Sequence, residues 1–293
     1  DGSYQNFRVI ESSIMEPELA ARFPEIKTYS GYSIDDPSVT TRFDWTPSGF
    51  HGIILSAAGT TLIEPYAKND TENYACYFQS NVSIDSSSCE VTAADQEAAI
   101  VRQKASQQIS SAVVSGTNLR TYRLAVAATA EYTQFYGGGT VNGGLAAITT
   151  TMNFVNAIFE RDVAVRLVLV AGETSIIFTD PATDGYTSDN VFSLVNENQT
   201  KLDAVIGSAN YDIGHVFDGR SNGGGFSFRG QVGAIGSVCQ SGLKARAATI
   251  TRSVAPSETI AYYITAHEMG HQFGANHTFN ATTGSCGDGN RNP

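Results

Sequence analysis

The chain has 293 residues, and its 29 acidic against 18 basic side chains give a formal net charge of −11. This balance argues against nucleic-acid binding, which needs surfaces rich in Lys and Arg. The 41% hydrophobic content is ordinary for a globular protein, and the length suits two domains or one large one. No run of eighteen apolar residues predicts a membrane span. The 28 glycines and the many Ser, Thr and Asn residues are typical of a secreted, extracellular protein.

The N-terminal third reads as short β-strands separated by turns, without a sustained helical period. The predicted strands are rich in β-branched and aromatic residues: TTRFDW (40–45), FHGIILS (50–56), TTLIEPY (60–66) and NYACYFQS (73–80). Residues 92–118 follow, rich in Ala, Gln and Ser, and predict a short helix and an exposed linker. Proteolytic nicking concentrates in such segments, so Arg102 and Lys104 mark a candidate processing region, and an ordinary solvated charge is the alternative for each of them.

From residue 119 the pattern alternates between strand and helix. Strands are predicted at 119–129, 163–170 and near 209–217, and an edge strand at 231–237 follows a glycine-rich loop at 221–230. A helix is predicted around the apolar row Leu145, Ile148, Met152, Val155 and Phe159. A second helix covers 189–205, and a last one opens at Pro256 or Ser257. In the helix at 189–205 the predicted inward side chains are Phe192, Val195, Leu202 and Val205. The fold class is therefore mixed α+β, with a twisted mixed sheet and helices against it.

The run HEMGHQFGANH fills every fixed position of H-E-x-x-H-x-x-G-x-x-H with His267, Glu268, His271, Gly274 and His277. Residues four apart share a helix face, so the first two histidines can bind one metal ion. Glycine accepts a left-handed conformation at almost no cost, so Gly274 lets the chain turn back and deliver His277. Three imidazoles leave one tetrahedral position open, which is typical of a catalytic zinc.

Glu268 is placed to act on a water at that open position, as a general base. Five fixed positions should match by chance in about one chain in ten thousand. The alternative, that these histidines are ordinary core residues, is therefore disfavoured. Lone histidines are usually packed or hydrogen-bonded, and we interpret His51 and His215 in that way.

The four cysteines are Cys76, Cys89, Cys239 and Cys286, and none forms a C-x-x-C pair. In an exported protein disulfides are the default, so pairing of Cys76 with Cys89 is one expectation. Cys239 and Cys286 flank the metal helix and could pair with each other or with cysteines elsewhere. A weaker prediction is a calcium site in FTDPATDGYTSDN (178–190), whose acidic residues Asp180, Asp184 and Asp189 offer hard oxygen ligands. A solvated acidic loop is the alternative.

The long histidine motif resembles that of the metzincin metallopeptidases, and the flanking sequence resembles their reprolysin/ADAM-type family. The segments that carry this resemblance are LRTYRLAVAATAEYTQFY (119–136), MNFVNAIFERDVAVRLVLV (152–170) and GQVGAIGSVC (230–239). The resemblance implies a zinc endopeptidase whose catalytic domain covers 119–293. It also implies that an extended substrate pairs antiparallel with the edge strand, at Gly233, Ala234, Ile235 and Gly236.

The N-terminal third resembles the late propeptide of that family, through GFHGIILSAAGTTLIEPY and the CEVT of 89–92. This implies a β-rich propeptide domain with its linker at 1–110, and Cys89 as a switch ligand that blocks the open zinc position. The Cys76–Cys89 disulfide remains the rival interpretation. One departure is that the family's methionine turn after the third histidine is missing, since the only methionines are Met15, Met152 and Met269.

The sequence therefore predicts a secreted zinc endopeptidase in latent zymogen form. Its predicted partners are polypeptide substrates and its own propeptide, with neither nucleic acid nor a membrane span. The alternative is a metal-bound but inactive fragment that acts only as a binding or adhesion module. Retention of Glu268 argues against a purely structural metal site, which has no use for a general base.

Overall fold

The computed structural model describes residues 4–67, 70–91, 118–221, 226–253 and 261–277. Six strands from the N-terminal region form an antiparallel meander in which each strand pairs with the next along the chain. A short helix, α1 (Pro17–Arg22), lies between the first two of them. The strands are β1 (Phe7–Glu11), β2 (Lys27–Ser33), β3 (Thr40–Thr46), β4 (Gly49–Ser56), β5 (Gly59–Pro65) and β6 (Tyr74–Phe78).

The second sheet is mixed, in the order β7-β11-β12-β10-β8-β9. Its strands β8, β9, β10 and β12 run parallel, whereas β11 runs antiparallel to β12. The strands are β7 (Ile84–Cys89), β8 (Arg120–Ala128), β9 (Val165–Leu169), β10 (Ile213–Ser221), β11 (Phe226–Val232) and β12 (Ala247–Ser253). Four further helices accompany them: α2 (Ala130–Phe135), α3 (Val141–Val163), α4 (Val191–Val205) and α5 (Tyr262–Gln272).

Helix α3 lies between the two sheets and joins their cores. Thr140 caps its N-terminus by accepting a hydrogen bond from the backbone N–H of Gly143, and it ends at Ala164 in a left-handed conformation. One continuous apolar cluster includes Leu145 of α3, Ile53 of the first sheet and Leu124 of the second. The N-terminal sheet and the mixed sheet are therefore packed around a shared core.

The N-terminal region also covers both edges of the mixed sheet. At one edge Met15 forms a bridge with Leu169 of β9, and the backbone N–H of Glu16 donates to the carbonyl of Leu169. At the other edge β7 pairs with β11. Exposed sheet edges are free to pair with other chains, and here both carry segments from the N-terminal region.

Most of the predicted elements match the structure, including the four N-terminal strands and the helices around Leu145 and at 189–205. The edge strand is offset: β11 covers 226–232 instead of 231–237, so the predicted loop at 221–230 is wrong from residue 226 onward. Phe192 and Val205 are exposed, so their predicted inward orientation is wrong, whereas Val195 and Leu202 are buried as predicted. The predicted helix and linker at 92–118 lie almost entirely outside the described residues, as do Pro256 and Ser257.

Among the described residues, no helix combines the length and apolar character that crossing a membrane requires.

Candidate metal centre

The three motif histidines converge at the C-terminal end of α5. The helix ends at Gln272, and Gly274 follows in a positive-φ conformation (φ 105°) with its N–H bonded to the carbonyl of His271. The N–H of Ala275 bonds to the carbonyl of Gly270, which completes the turn. The reversal at Gly274 therefore delivers His277 beside the two helical histidines, as the spacing predicts.

The Nε2 atoms of the three histidines form a nearly equilateral triangle. His267 lies 3.1 Å from His271 and 3.1 Å from His277, and His271 lies 3.0 Å from His277. In a tetrahedral zinc site with bonds of about 2.0 to 2.1 Å, two nitrogen ligands lie about 3.3 Å apart. The donor set and its spacing therefore fit zinc.

The protonation of the three imidazoles also suits metal binding. The carbonyl of Ala275 lies 2.7 Å from Nδ1 of His271, so that nitrogen carries the proton and leaves the Nε2 lone pair free for a metal. Burial, assisted by the two neighbouring imidazoles, lowers the pKa of His267 to about 4. Burial likewise lowers the pKa of His271 and of His277. Neutral imidazole is the form that binds a metal ion.

Cys89 brings a fourth ligand atom to the same point. Its Sγ lies 3.5 Å from Nε2 of His271, and the four candidate ligand atoms all lie within 4.8 Å of one another. A thiolate and an imidazole on one tetrahedral zinc lie about 3.6 Å apart, given a Zn–S bond of about 2.3 Å. Among the described residues this is the one group of three or more His, Cys, Asp or Glu side chains arranged to hold a metal ion.

The expected disulfide between Cys76 and Cys89 is not formed. Cys76 is an exposed free thiol and Cys89 is buried, and the two form no disulfide. Cys76 belongs to β6 of the first sheet and Cys89 to β7 of the second, so the two strands are held apart by different partners. Cys239 is also free, whereas Cys286 lies outside the described residues.

Glu268 is fully buried beside this cluster. Its Oε2 accepts from Sγ of Cys89 at 3.7 Å, and its Oε1 has no hydrogen-bond partner. Burial raises the pKa of Glu268 to about 8, with a further contribution from the charge of Glu90. A buried carboxyl with one open oxygen, next to a metal-ligand cluster, has the geometry of a general acid–base group.

Sequence reasoning missed Gly230, which makes room for Glu268. A Cβ atom built at Gly230 would overlap the carboxyl group of Glu268. The available signal was a glycine in the interior of a strand, which often marks a close approach by another group. Gly230 lies in β11, where it pairs with Cys89 of β7.

Strand β7 lies along β11 in the parallel direction and carries Cys89 to the histidines. Cys89 pairs with Gly230 in this register, and the N–H of Glu90 donates to the carbonyl of Gly230 at 2.9 Å. Next to them, Glu90 and Arg229 form an ion pair at 3.7 Å. The edge that was predicted to receive an extended peptide is therefore occupied by an extended segment of the N-terminal region.

The four predicted substrate-binding residues, Gly233, Ala234, Ile235 and Gly236, lie in a turn after β11 and not in the edge strand itself. Positive φ at Gly236 closes this turn, and its N–H donates to the carbonyl of His271. Ala234 and Ile235 are buried. The turn is thus fastened to the metal helix, and its side chains pack beside β11.

His215 and His51 lie away from the cluster, and the sequence predicts that both are packed or hydrogen-bonded residues. His215 and His51 are buried and hydrogen-bonded, to Thr249 and Asp44 respectively, which confirms that they are packed residues.

The three acidic residues of the predicted calcium loop each have other partners. Asp180 accepts from the N–H of Ala182, Asp184 accepts from the N–H groups of Ala130 and Tyr186, and Asp189 pairs with Arg252. The calcium site stays a prediction that this geometry does not support.

Metalloproteinase-II from Bacteroides fragilis, a solved structure, is similar over 97% of this chain and 80% of its own, with 14% identity and a TM-score of 0.45. A likeness of that size carries no argument about function. Among curated proteins, no sequence matches this chain significantly. A family model described as metallo-peptidase family M12B, reprolysin-like, matches residues 118–291, which is more than half of the chain. The chain therefore belongs to the reprolysin-like metallo-peptidase family M12B, and it is a metalloendopeptidase.

Proposed function

We propose that the chain is a zinc-dependent endopeptidase held latent by its own N-terminal region. His267, His271 and His277 bind the metal, Glu268 is the general base, and Cys89 is the fourth ligand of the latent form. The observation that carries the proposal is the imidazole triangle, with sides of 3.0 to 3.1 Å, adjoined by a buried carboxyl and a thiol. Zinc bound there would polarise the scissile carbonyl and lower the pKa of a coordinated water to about 7.

The role of Glu268 follows from its position and its surroundings. It takes the proton of the attacking water and passes it to the leaving amine, which requires a carboxyl that both accepts and releases protons near neutral pH. Its burial beside the three imidazoles, with Oε1 without a hydrogen-bond partner, supports this role.

The substrate lies extended along β11 and adds a strand to the mixed sheet. The pairing of β7 with β11 supports this, since it demonstrates that the edge accepts an extended chain. Whereas β7 runs parallel to β11, the substrate runs antiparallel. The N-terminal segment therefore lies along the cleft in the direction opposite to a substrate.

Latency has two physical sources in this proposal. The thiol of Cys89 occupies the position on the histidine cluster that water must take for hydrolysis. In addition, contacts upstream of Cys89 hold the segment in place, because Val82 packs near Phe228 and Ile264 while Tyr262 donates to Gln79 at 3.0 Å. Full activation therefore requires both loss of the thiol and removal of the segment, by cleavage in the linker region at 92–118, and loss of either restraint alone raises basal activity in part.

The test compares Cys89→Ser with Cys76→Ser in the full chain, assayed on fluorescent casein. Cys89→Ser should raise basal cleavage at least about tenfold, because hydroxyl is a far weaker zinc ligand than thiolate. Cys76→Ser is the matched control, since Cys76 is an exposed free thiol on the other sheet, and it should behave as wild type.

Metal dependence is measured on the same samples. A chelator should abolish casein cleavage, and added zinc should restore it. Equal basal activity of both cysteine variants would contradict the switch. Absence of any zinc-dependent cleavage after the N-terminal region has been removed would contradict the enzyme assignment in this form.

A further inference from the structure

We infer that Val232, Ile235 and Ala247 form a substrate subsite that selects a branched aliphatic side chain on the amino-terminal side of the scissile bond. The inference rests on the proposed function and names part of its substrate class. Its starting point is Val91, the second residue after Cys89, which is 5% exposed.

Val91 belongs to a small apolar cluster separate from the main core. Its other members are Cys89, Val232, Ile235 and Ala247, all of them 7% exposed or less. Val232 ends β11, Ile235 lies in the turn fastened to His271, and Ala247 begins β12. These three residues belong to the catalytic region, whereas Val91 and Cys89 come from the N-terminal segment.

Alternation along an extended chain explains why Val91 enters this cluster. Side chains two residues apart share one face of a strand, so Val91 follows Cys89 on the face that points to the histidines. Cys89 lies opposite Gly230, and two positions further along Val91 packs with Val232. The pocket therefore lies two residues along the extended chain from Cys89, which contacts the histidine cluster.

A substrate on β11 meets the same pocket once the N-terminal segment has been removed. Because the substrate runs antiparallel to β11, the residue beside Val232 lies on the amino-terminal side of the residue opposite Gly230. A side chain as large as that of Val, Ile or Leu replaces the contacts of Val91. A charged side chain would lose its hydration among the apolar side chains of Val232, Ile235 and Ala247.

The size of the effect follows from pocket chemistry. Adding or removing one methylene in an apolar site changes kcat/KM by about 10- to 200-fold. We therefore expect Val or Ile to exceed Ala by at least about tenfold in kcat/KM at this position, and Asp or Lys to be worse than Ala.

For the experiment, the full chain is activated by cleavage in the linker at 92–118. Its kcat/KM is then measured on a peptide library that is randomised at positions on the amino-terminal side of one cleavable bond. Ile235→Ala enlarges the pocket and should shift the preference toward Phe and Leu. Ala247→Leu narrows it and should shift the preference toward Ala and Gly. The control is Val205→Ala, which also shortens a β-branched side chain but lies exposed on α4, so its profile should match wild type.

If Ala247→Leu fails to fold, the cleavage profile of Ile235→Ala alone tests the inference. Cleavage without an aliphatic preference at any amino-side position would overturn the inference and leave the proposed function standing. An aliphatic preference that Ile235→Ala and Ala247→Leu both leave unchanged would also overturn the inference and leave the proposed function standing. If no peptide of the library is cleaved at all, the proposed function is contradicted and the inference falls with it.

Discussion

At the scale of single residues, Glu268 is the side chain on which the proposed chemistry depends most. Glu268→Ala should keep the metal, because all three imidazoles remain, but lower kcat by about 10² to 10⁴, the usual contribution of a positioned acid–base group. The measurement pairs casein hydrolysis with metal content of the activated protein. Asp162→Ala is the control, because Asp162 is exposed and its ion pair with Arg161 lies on the surface. Normal hydrolysis by Glu268→Ala would remove this residue from the mechanism.

Gly230 offers a subtler test of the same carboxyl. In Gly230→Ala the new methyl group would overlap the carboxyl group and Cγ of Glu268, so the Glu268 side chain must shift. We therefore expect a folded, metal-binding protein whose kcat falls by about 10²-fold, the cost of a misplacement near 1 Å. Gly270→Ala is the matched control.

For that control the nearest neighbour of an added Cβ is 4.0 Å away, and replacing a helical glycine by alanine favours folding. Equal activity of the two alanine variants would contradict the importance of the space at Gly230.

The histidine cluster shows what a sequence can predict at this scale. His267, His271 and His277 meet because helix period and a glycine turn are local properties, fully contained in eleven residues. Gly230 and the pocket around Val91 were not predictable in the same way. They depend on which distant strand lies next to α5, and no local pattern states that.

At the scale of elements, α5 is fixed to the sheet by a buried polar network. Gln272 donates to the carbonyls of Gly214 and Lys244, at 2.9 and 3.1 Å, and lies beside His215. His215 in turn bonds to Thr249 of β12 at 2.8 Å. The metal helix is thereby held in register with β10 and β12.

This network predicts a pH dependence of stability. Burial lowers the pKa of His215 to about 4 in the folded state, while the unfolded value is 6.5. Between these values the unfolded chain binds a proton that the folded chain does not, so stability falls as pH decreases from 6.5 toward 4. By pH 5 the loss amounts to about 2 kcal/mol.

The measurement is urea unfolding at pH 7.5 and pH 5, for wild type and His215→Gln. The variant should be less stable at pH 7.5 but lose less on acidification, and the difference isolates His215 because the other histidines titrate in both proteins. Identical pH dependence in the two proteins would show that His215 contributes nothing to it.

Long periodic elements were predictable and short or polar ones were not. The buried row of α3 repeats over about four turns, so its pattern is strong. Helix α1 has six residues, and β7 reads IDSSSC, which carries little apolar signal. In α4 the inward row is set by Leu194, Val195 and Leu202, and Phe192 and Val205 fall outside that stripe.

At the scale of the whole molecule, Arg42 connects the N-terminal sheet to helix α3. It is 2% exposed, donates to Asn153 at 2.8 Å, and pairs with Glu160 at 2.9 Å. Arg42→Met should destabilise the full chain by about 3 kcal/mol, the lower end for breaking a buried pair, since Glu160 keeps Arg166 as a partner.

Because Arg42 holds the two regions together, Arg42→Met should also raise basal proteolysis. Urea unfolding and casein cleavage measure the two effects. Arg161→Met is the control, because Arg161 pairs only with its surface neighbour Asp162, and such pairs contribute about 0 to 1 kcal/mol. An unchanged unfolding midpoint in Arg42→Met would mean that this contact does not anchor the N-terminal sheet.

The change of pattern near residue 119 lies close to residue 118, where the family match begins, and the division into a propeptide and a catalytic domain stays a prediction. The packing of the N-terminal region against the rest of the chain was not predictable. Strand β7 follows the first sheet along the chain but pairs within the second sheet, and loop composition does not encode such a long-range pairing. Secretion, drawn from composition alone, stays a prediction.

X-ray absorption at the zinc edge of the latent full chain tests the central proposal most directly. With His267, His271, His277 and Cys89 as ligands, the zinc should have three nitrogen neighbours at about 2.0 Å and one sulfur at about 2.3 Å. A zinc shell of nitrogen and oxygen without sulfur would contradict the role of Cys89, and a purified chain that binds no zinc would contradict the metal centre itself.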